Sequence, residues 1–386
     1  MRVVLLTGKG GVGKTSLAIA TALRAAAHGK RAFILSTDPA HSLGDALARR
    51  VRSTAVSVAD GVVAREVAVL EELDRAWSHI QRWLRALLRE EADEIVAEEL
   101  LVFPGLEELV ALRAVREVEK TGEFDVCVVD CAPTGATLRM LRFPDALRLF
   151  MENLFDLKRR GVRLLRPFAE RIGQSRILPS EEVFDSFEQL YQDVADVRQI
   201  LLDGDRTTAR LVVNPTRVAV EETRRSFAYL CLYGVSTDAI IVNRELPATA
   251  AGGYFAHWAE REQRELRDIE ASFPLPILHA PLYPHELVGI EPLSELGSEV
   301  YGTRDPSEVF VRTRPIRISQ RSGRTRLEID LPGCSKEELD IEVRGEELLV
   351  RVRDAYRVVA LPSSVVGRKV AETRLEQSVL SVLFEP

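Results

Sequence analysis

The sequence predicts an α/β protein with a mostly parallel sheet, followed by a small all-β sandwich. A glycine-rich segment directly follows a short apolar run near the N-terminus. Short β-rich runs then alternate with helical stretches over most of the chain. From residue 315 onward the pattern changes to short alternating segments separated by turn residues. These segments are Arg324–Leu331, Leu339–Val343, Glu347–Val352, Tyr356–Ala360 and Val379–Phe384. With 386 residues, the chain is long enough for two or three domains.

The glycine-rich segment GKGGVGKTS, residues 8–16, has the form GxxxxGK[ST] of a phosphate-binding loop and follows the apolar run Val3–Thr7. Glycines let successive backbone N–H groups point at one phosphate, and the helix that follows adds its positive N-terminal end. We predict that Lys14 reaches the β- and γ-phosphates of ATP and that Thr15 holds Mg²⁺. The predicted nucleotide-binding residues here are Gly8, Gly10, Gly11, Val12, Gly13, Lys14, Thr15 and Ser16.

Lys9 is a second lysine at the start of the loop and makes the motif a deviant Walker A. It cannot easily curl back onto the phosphate that Lys14 serves, but it could reach a nucleotide held by a second copy of the chain. A cation supplied across an interface stabilises charge that develops during phosphoryl transfer. Lys9 therefore predicts a homodimer whose closure is coupled to ATP, and a solvated surface lysine is the alternative.

Six β-rich runs are expected to form the sheet, and their continuous apolar character suits strands covered on both faces. They are Val3–Thr7, Ala32–Thr37, Val126–Asp130, Leu211–Asn214, Ala239–Asn243 and Pro276–His279. The helix after the phosphate loop is expected to run to about His28 and to stop at Gly29.

Two carboxylates are predicted at the carboxyl ends of strands, where ligands of parallel sheets bind. Asp38 could orient the attacking water and accept its proton, with a helix cap as the alternative. Asp130 is predicted to act on Mg²⁺ through water, and the loop from Pro133 to follow the γ-phosphate. Asn243 suits the adenine edge because a side-chain amide both donates and accepts hydrogen bonds, and a residue that simply caps a strand is the alternative. Pro281 could cover the base.

A helical subdomain is predicted over about 70–122 and 140–205. Its part at 145–176 is basic and amphipathic in an otherwise acidic chain. A region of this kind is either packed on its own core or offers a surface to an apolar client or a membrane. The ATPase domain is expected to cover 1–305, a linker 306–314 and the β-sandwich 315–386.

Bulk properties exclude several classes. A net charge of −7 argues against general nucleic-acid binding, and no uncharged apolar run is long enough to span a membrane. The four cysteines, Cys127, Cys131, Cys231 and Cys334, form no CxxC pair, so neither a disulfide framework nor a zinc site is expected. The chain enters a strand near its N-terminus and shows no signal-peptide pattern, so a cytoplasmic location is expected, or a stromal one in a plastid.

Together these segments resemble the ArsA family of ATPases, which includes arsenite-pump ATPases and the targeting ATPases of the guided entry of tail-anchored proteins (GET) pathway. The matching segments are GKGGVGKTS at 8–16, STDPAHSLGDAL at 36–47, VVDCAPTGATLRML at 128–141, IIVNRELP at 240–247 and APLYPHELVGIEPLSELG at 280–297. The resemblance implies a SIMIBI-type P-loop ATPase that hydrolyses ATP with Mg²⁺.

By this resemblance Lys9 is the inter-subunit lysine, Asp38 the hydrolytic carboxylate, and 130–135 the second switch, while Asn243 and Pro281 contact adenine. Neither the CxxC that holds eukaryotic GET dimers together nor the arsenite-binding cysteine triad is present. The chain has one phosphate loop, whereas the arsenite pump has a tandem pair, so two copies of this chain are needed to supply a pair of loops.

The tail resembles an α-crystallin, or small heat-shock protein, domain through LEIDLPGCSKEELDIEVRGEELLVRV at 327–352 and VVALPSSV at 358–365. Three functions stay open. The first is an ATP-driven factor that targets or holds a hydrophobic client such as a membrane-protein segment, and the second is an anion-pump ATPase that energises a membrane partner. The third is a nucleotide-gated binding module with a chaperone-like tail.

Overall fold

A computed structural model describes residues 1–38, 42–67, 82, 106–132, 181–321, 324–361 and 365–385. The predicted loop at Pro133, His41 beside Asp38, and the amphipathic region 145–176 lie outside the described residues. Two helices of the predicted helical subdomain are described, Leu106–Thr121 and Glu181–Leu202. None of the described helices is long and apolar enough to cross a membrane.

The first part of the chain is built around an eight-stranded sheet with the order β3-β4-β2-β5-β1-β6-β7-β8. Seven strands run parallel, and only β3 is antiparallel to its neighbour β4. The strands are β1 Arg2–Gly8, β2 Ala32–Ser36, β3 Val56–Ala59, β4 Val62–Glu66, β5 Val126–Asp130, β6 Thr207–Val213, β7 Thr237–Glu245 and β8 Ile277–Pro281. The predicted α/β class is confirmed.

Helices cover both faces of this sheet, and each face carries its own buried apolar cluster. The described helices are α1 Lys14–Ala27, α2 Ser42–Leu47, α3 Leu106–Thr121, α4 Glu181–Leu202, α5 Arg217–Tyr233, α6 Ala256–Ser272 and α7 Ile290–Tyr301. The helix after the phosphate loop ends at Ala27, and Gly29 follows in the left-handed region with φ 79°. Cys127 and Cys131 are buried core residues, as predicted.

The hairpin β3–β4 was not among the predicted strands. Its strands have four and five residues, and Val56 and Ser57 are exposed, so the first strand has no apolar run. The hairpin nevertheless positions a residue near the phosphate loop. The buried Glu66 carboxylate at the end of β4 accepts the backbone N–H groups of Leu43 and Gly44 at 3.0 and 3.1 Å. Both N–H groups belong to the first turn of α2, where the helix dipole stabilises a negative charge.

A buried ion-pair network fastens the segment after α7 to the sheet. The guanidinium of Arg210, fully buried on β6, contacts both carboxylate oxygens of Asp238 at 3.1 and 3.3 Å. Arg210 also donates to Glu308 O at 3.1 Å and lies 4.2 Å from the ring centroid of Phe310. Further on, Thr313 accepts a hydrogen bond from the backbone N–H of Thr237 at 3.2 Å. Several contacts therefore hold the segment predicted as a linker against β6 and β7.

The C-terminal part contains two antiparallel sheets, with the orders β14-β15-β10-β9 and β11-β12-β13. The strands are β9 Ile316–Arg321, β10 Arg324–Asp330, β11 Leu339–Arg344, β12 Glu347–Val352, β13 Ala355–Ala360, β14 Val370–Glu376 and β15 Val379–Phe384. The predicted all-β tail is confirmed, with β9 and β14 added to the five segments that the alternation indicated.

This β-sandwich packs on α5 of the same chain. Leu232 of α5 belongs to the buried apolar cluster of the sandwich, and Tyr229 packs against it. The Tyr233 hydroxyl donates to Tyr356 O at 3.0 Å, and the Arg357 guanidinium donates to Leu232 O at 2.9 Å. The tail thus shares a core with the helix that follows β6.

Candidate active site

The carboxyl ends of the parallel strands open onto a cavity of about 470 Å³. Five residues predicted from the phosphate loop line it, together with Asp38, Asn243 and Pro281. Its other wall is the segment between β8 and α7, with Leu282, Tyr283, His285, Glu286, Leu287 and Val288. Eight predicted site residues from four separate chain segments therefore meet at one place.

Two glycines of the loop cannot carry a side chain without a clash. A Cβ on Gly8 would lie 2.3 Å from the backbone oxygen of Val212 on β6. Gly13 has φ 94°, and a Cβ there would lie 2.3 Å from the Asn243 Nδ2 atom. Close approach and the left-handed conformation thus require glycine at these two positions.

The two lysines of the loop differ in their surroundings. The Lys14 side chain is buried, and its Nζ atom donates to Lys9 O at 3.1 Å. The Lys9 Nζ atom lies 3.4 Å from the Glu222 carboxylate of α5, and its side chain is 39% exposed. Lys14 thus faces the interior of the loop, whereas Lys9 lies at the surface in a partly exposed ion pair.

The Asp130 carboxylate is fully buried at the end of β5, and neither oxygen has a hydrogen-bond partner within 3.5 Å among the described residues. Burial raises its pKa to about 6; the nearby hydroxyls of Thr15 and Ser36 and the charge of Lys14 lower it, whereas the charge of Asp38 raises it. An unpaired buried carboxylate beside a lysine and a second carboxylate is a costly arrangement in a merely structural position.

The oxygen donors near Asp130 fit a small hard cation. The Thr15 and Ser42 hydroxyl oxygens lie 3.0 Å apart, and Ser42 begins α2. Mg²⁺ prefers oxygen ligands and is usually held by few protein groups plus phosphates and water. Thr15 could hold the ion directly and Asp130 through water. When bound, Mg²⁺ would neutralise charge on the phosphates.

The ends of β2 and β5 are joined through Thr37, a residue to which the sequence analysis gave no role. Its hydroxyl donates to Asp130 O at 3.2 Å and accepts from the backbone N–H of Ala132 at 3.4 Å. Asp38 follows directly and lines the cavity. Thr37 therefore fixes the spacing between the two carboxylate-bearing segments, 36–38 and 130–132.

Asn243 lies in the cavity wall but also supports the phosphate loop. Its Nδ2 atom donates to Val12 O at 2.7 Å, and its Oδ1 atom accepts the backbone N–H of Arg244 at 3.0 Å. The Asn214 amide, with its nitrogen turned towards the loop, donates to Val12 O and Asn243 O at 3.2 Å each. Sequence reasoning found the position of Asn243 but not this supporting contact, and it gave Asn214 no role.

Two family models match the chain. The model described as anion-transporting ATPase matches residues 1–302, and the HSP20-like domain found in ArsA matches residues 322–384. The expected resemblance of the core and of the tail is thereby confirmed.

Named relatives agree with these models. The chain is 33% identical, over all of its length and 96% of the relative's, to a putative arsenical pump-driving ATPase of Prosthecochloris vibrioformis. It is 31% identical to putative arsenical pump-driving ATPase 1 of Aquifex aeolicus, with both chains fully covered. ATPase GET3C of Arabidopsis thaliana is 29% identical over 77% of this chain and 81% of its own length.

The matched models and the assembled phosphate loop lead to one assignment: the chain belongs to the ArsA family of anion-transporting ATPases and is an ATP-hydrolysing enzyme.

Proposed function

We propose that two copies of this chain close on ATP and Mg²⁺, handle a hydrophobic client segment in the closed state, and release it after hydrolysis. The observation that carries the proposal is the meeting of Lys14, Thr15 and Asp38 at one cavity, with the unpaired Asp130 carboxylate beside them. The similarity to a GET3 ATPase supports it. A cytoplasmic or stromal location is part of the same proposal.

In this proposal each group has one task. Lys14 and the loop N–H groups hold the phosphates, and Thr15 and Asp130 hold Mg²⁺ directly and through water. Asp38 orients the attacking water and accepts its proton. Pro281 and Asn243 bound the part of the cavity where the base would lie.

Lys9 is proposed to act on the nucleotide of the second copy. Its pairing with Glu222 at 3.4 Å involves two partly exposed side chains, 39% and 33%, so the pair contributes little stability. Lys9 could therefore leave Glu222 and pair with a phosphate of the nucleotide bound to the second copy at little cost in free energy.

The chain segments that follow β6, β7 and β8 carry several exposed apolar side chains. They are Val218, Tyr254, Phe255, Trp258, Leu282 and Val288. Of these residues, Leu282 and Val288 line the cavity beside the phosphate loop. Exposed apolar side chains of this kind support contact with a protein partner or client.

A mixing experiment tests the dimer. Lys9→Ala and Asp38→Asn should each abolish most turnover as separate homodimers. Mixed and allowed to exchange subunits, they should regain turnover, because one site of the heterodimer has its own Asp38 and the partner's intact lysine.

Lys30→Ala is the matched control, since Lys30 is also a surface lysine in an ion pair and is 41% exposed. It should leave turnover unchanged. Failure of the mixed proteins to recover activity, or full turnover by Lys9→Ala alone, would count against a lysine that acts across the interface.

Client handling needs a separate test. Asp38→Asn with Mg²⁺ and ATP should hold the closed state, and a fluorescent peptide of about 20 apolar residues should bind to it more tightly than to the ADP-bound wild type. Equal affinity in both states would refute coupling between nucleotide and client. Client binding and release that are the same in Asp38→Asn, which lacks turnover, as in the wild type would instead favour the nucleotide-gated binding module.

The names of the full-length relatives favour a second candidate, a pump ATPase that energises a membrane partner. The cysteines argue against a thiolate site for arsenite: Cys127, Cys131 and Cys231 are buried and Cys334 is half-buried. Burial raises the pKa of the Cys127 thiol to about 12, and those of the other three are also raised. Stimulation of hydrolysis by arsenite or antimonite would favour the pump.

A further inference from the structure

The strand β7 is irregular at Arg244, beside the cavity. Asn243 pairs with Ala280 and Glu245 with Pro281 of β8, so Arg244 is left over as the extra residue of a bulge. Its φ is 64°, in the left-handed region that is strained for a residue with a Cβ. Strained residues and bulges are common next to active sites, where they redirect a side chain.

The contacts of Asn243 hold this irregularity in place. The amide oxygen accepts the Arg244 backbone N–H at 3.0 Å, while the amide nitrogen donates to Val12 O at 2.7 Å. One side chain thus fixes both the bulge and the phosphate loop, so that the position of Arg244 is tied to that of the loop.

The Arg244 side chain lines the cavity, and its Nη1 atom donates to Gly11 O at 3.1 Å. Among the described residues no carboxylate lies within salt-bridge distance of this guanidinium, in contrast to Lys9, which pairs with Glu222. A guanidinium has five N–H donors in a planar fork. Only one of them is used within the described part of the chain.

Such a group beside a phosphate loop matches phosphate oxygens in charge and in geometry. We propose that Arg244 is a nucleotide-binding residue that contacts the phosphate chain on the Gly11 side of the loop. This inference rests on the cavity being the nucleotide site, as proposed above. Lys14 and Arg244 of one copy, with Lys9 of the other copy, would then place three cations around one triphosphate.

The test measures binding of Mg²⁺ complexes of ATP, ADP and tripolyphosphate, and of AMP, by titration calorimetry on the full chain. Arg244→Gly is the main variant, because glycine keeps the left-handed backbone and removes only the side chain. Arg244→Ala removes the same guanidinium but keeps a Cβ in the left-handed conformation, so its backbone stays strained. Arg312→Ala, which removes an exposed arginine paired with Asp205, controls for net charge.

We expect Arg244→Gly to weaken ATP and tripolyphosphate binding by about tenfold or more and to leave AMP unchanged, with no fall in the unfolding temperature. Arg312→Ala should bind like the wild type. Unchanged tripolyphosphate affinity in Arg244→Gly would overturn the inference, as would equal weakening of ATP, ADP and AMP, which indicates contact with the base or sugar. If the wild type itself bound neither ATP nor tripolyphosphate, the proposed nucleotide site would be wrong, and this inference with it.

Discussion

At the scale of single residues, the structure explains why some positions could be predicted and others could not. Lys14 and Thr15 follow from a motif whose spacing fixes the geometry, and both line the cavity. Asn243, which was predicted from its place at the end of a strand, also lines the cavity, but a residue type cannot reveal that its amide binds Val12 O. Arg244 gave no signal, since its proposed role depends on a bulge of its own strand, β7, against β8, which comes later in the chain.

Asp130 shows what burial without a partner does to a carboxylate. Its pKa is raised by desolvation to about 6, whereas in the unfolded chain it titrates near its ordinary value. Between pH of about 4 and about 6 the folded state therefore binds more protons, and the free energy of unfolding falls as pH rises. Above that window the full penalty remains, on the order of 3 kcal/mol.

Asp130→Asn should therefore raise the free energy of unfolding at pH 7 without Mg²⁺ or nucleotide, by up to about 3 kcal/mol. It should also flatten the dependence on pH between about 4 and about 6, and abolish Mg²⁺-dependent hydrolysis. Urea unfolding at a series of pH values and a phosphate-release assay measure these effects. A variant less stable than the wild type at pH 7 would mean that the carboxylate has a stabilising partner.

At the scale of elements, the errors of sequence reasoning concentrate at edges and at buried polar residues. Strand β14 was missed because five of its seven residues are exposed, so neither face gives an apolar alternation. Strand β6 begins at Thr207, four residues before the predicted Leu211. Its first part carries the buried Arg210, and the paired Asp238 that makes this burial tolerable lies on β7.

The hairpin β3–β4 has a consequence for the active site, because Glu66 caps the helix that brings Ser42 to Thr15. Glu66→Ala should remove both hydrogen bonds, lower stability by about 1–2 kcal/mol and reduce turnover by weakening the position of Ser42. Glu66→Gln keeps an acceptor oxygen and should lie between the wild type and Glu66→Ala in both properties. Thermal unfolding and steady-state hydrolysis compare the three proteins, and equal turnover in all of them would show that the cap has no part in the site.

At the scale of the whole molecule, two sets of contacts join the ATPase core to the tail. The segment after α7 is fastened at Arg210 through Glu308 O and at Thr237 through Thr313. The sandwich then shares its apolar cluster with α5 through Leu232. Because α5 also carries Glu222, the partner of Lys9, one helix links the tail to the start of the phosphate loop.

This arrangement predicts that the sandwich and the core unfold together. Leu232→Ala removes a fully buried side chain from the shared cluster and should cost about 2–5 kcal/mol at the contact. A single calorimetric transition of the wild type should then split into two, with the sandwich unfolding first, because the junction no longer couples the two parts. Tyr233→Phe, which loses only the hydroxyl that donates to Tyr356 O, should shift the transition by a smaller amount and keep it single. Two separate transitions already in the wild type would show that the shared cluster does not couple the tail to the core, and that any effect of the tail on the phosphate loop must pass through the segment 302–314 instead.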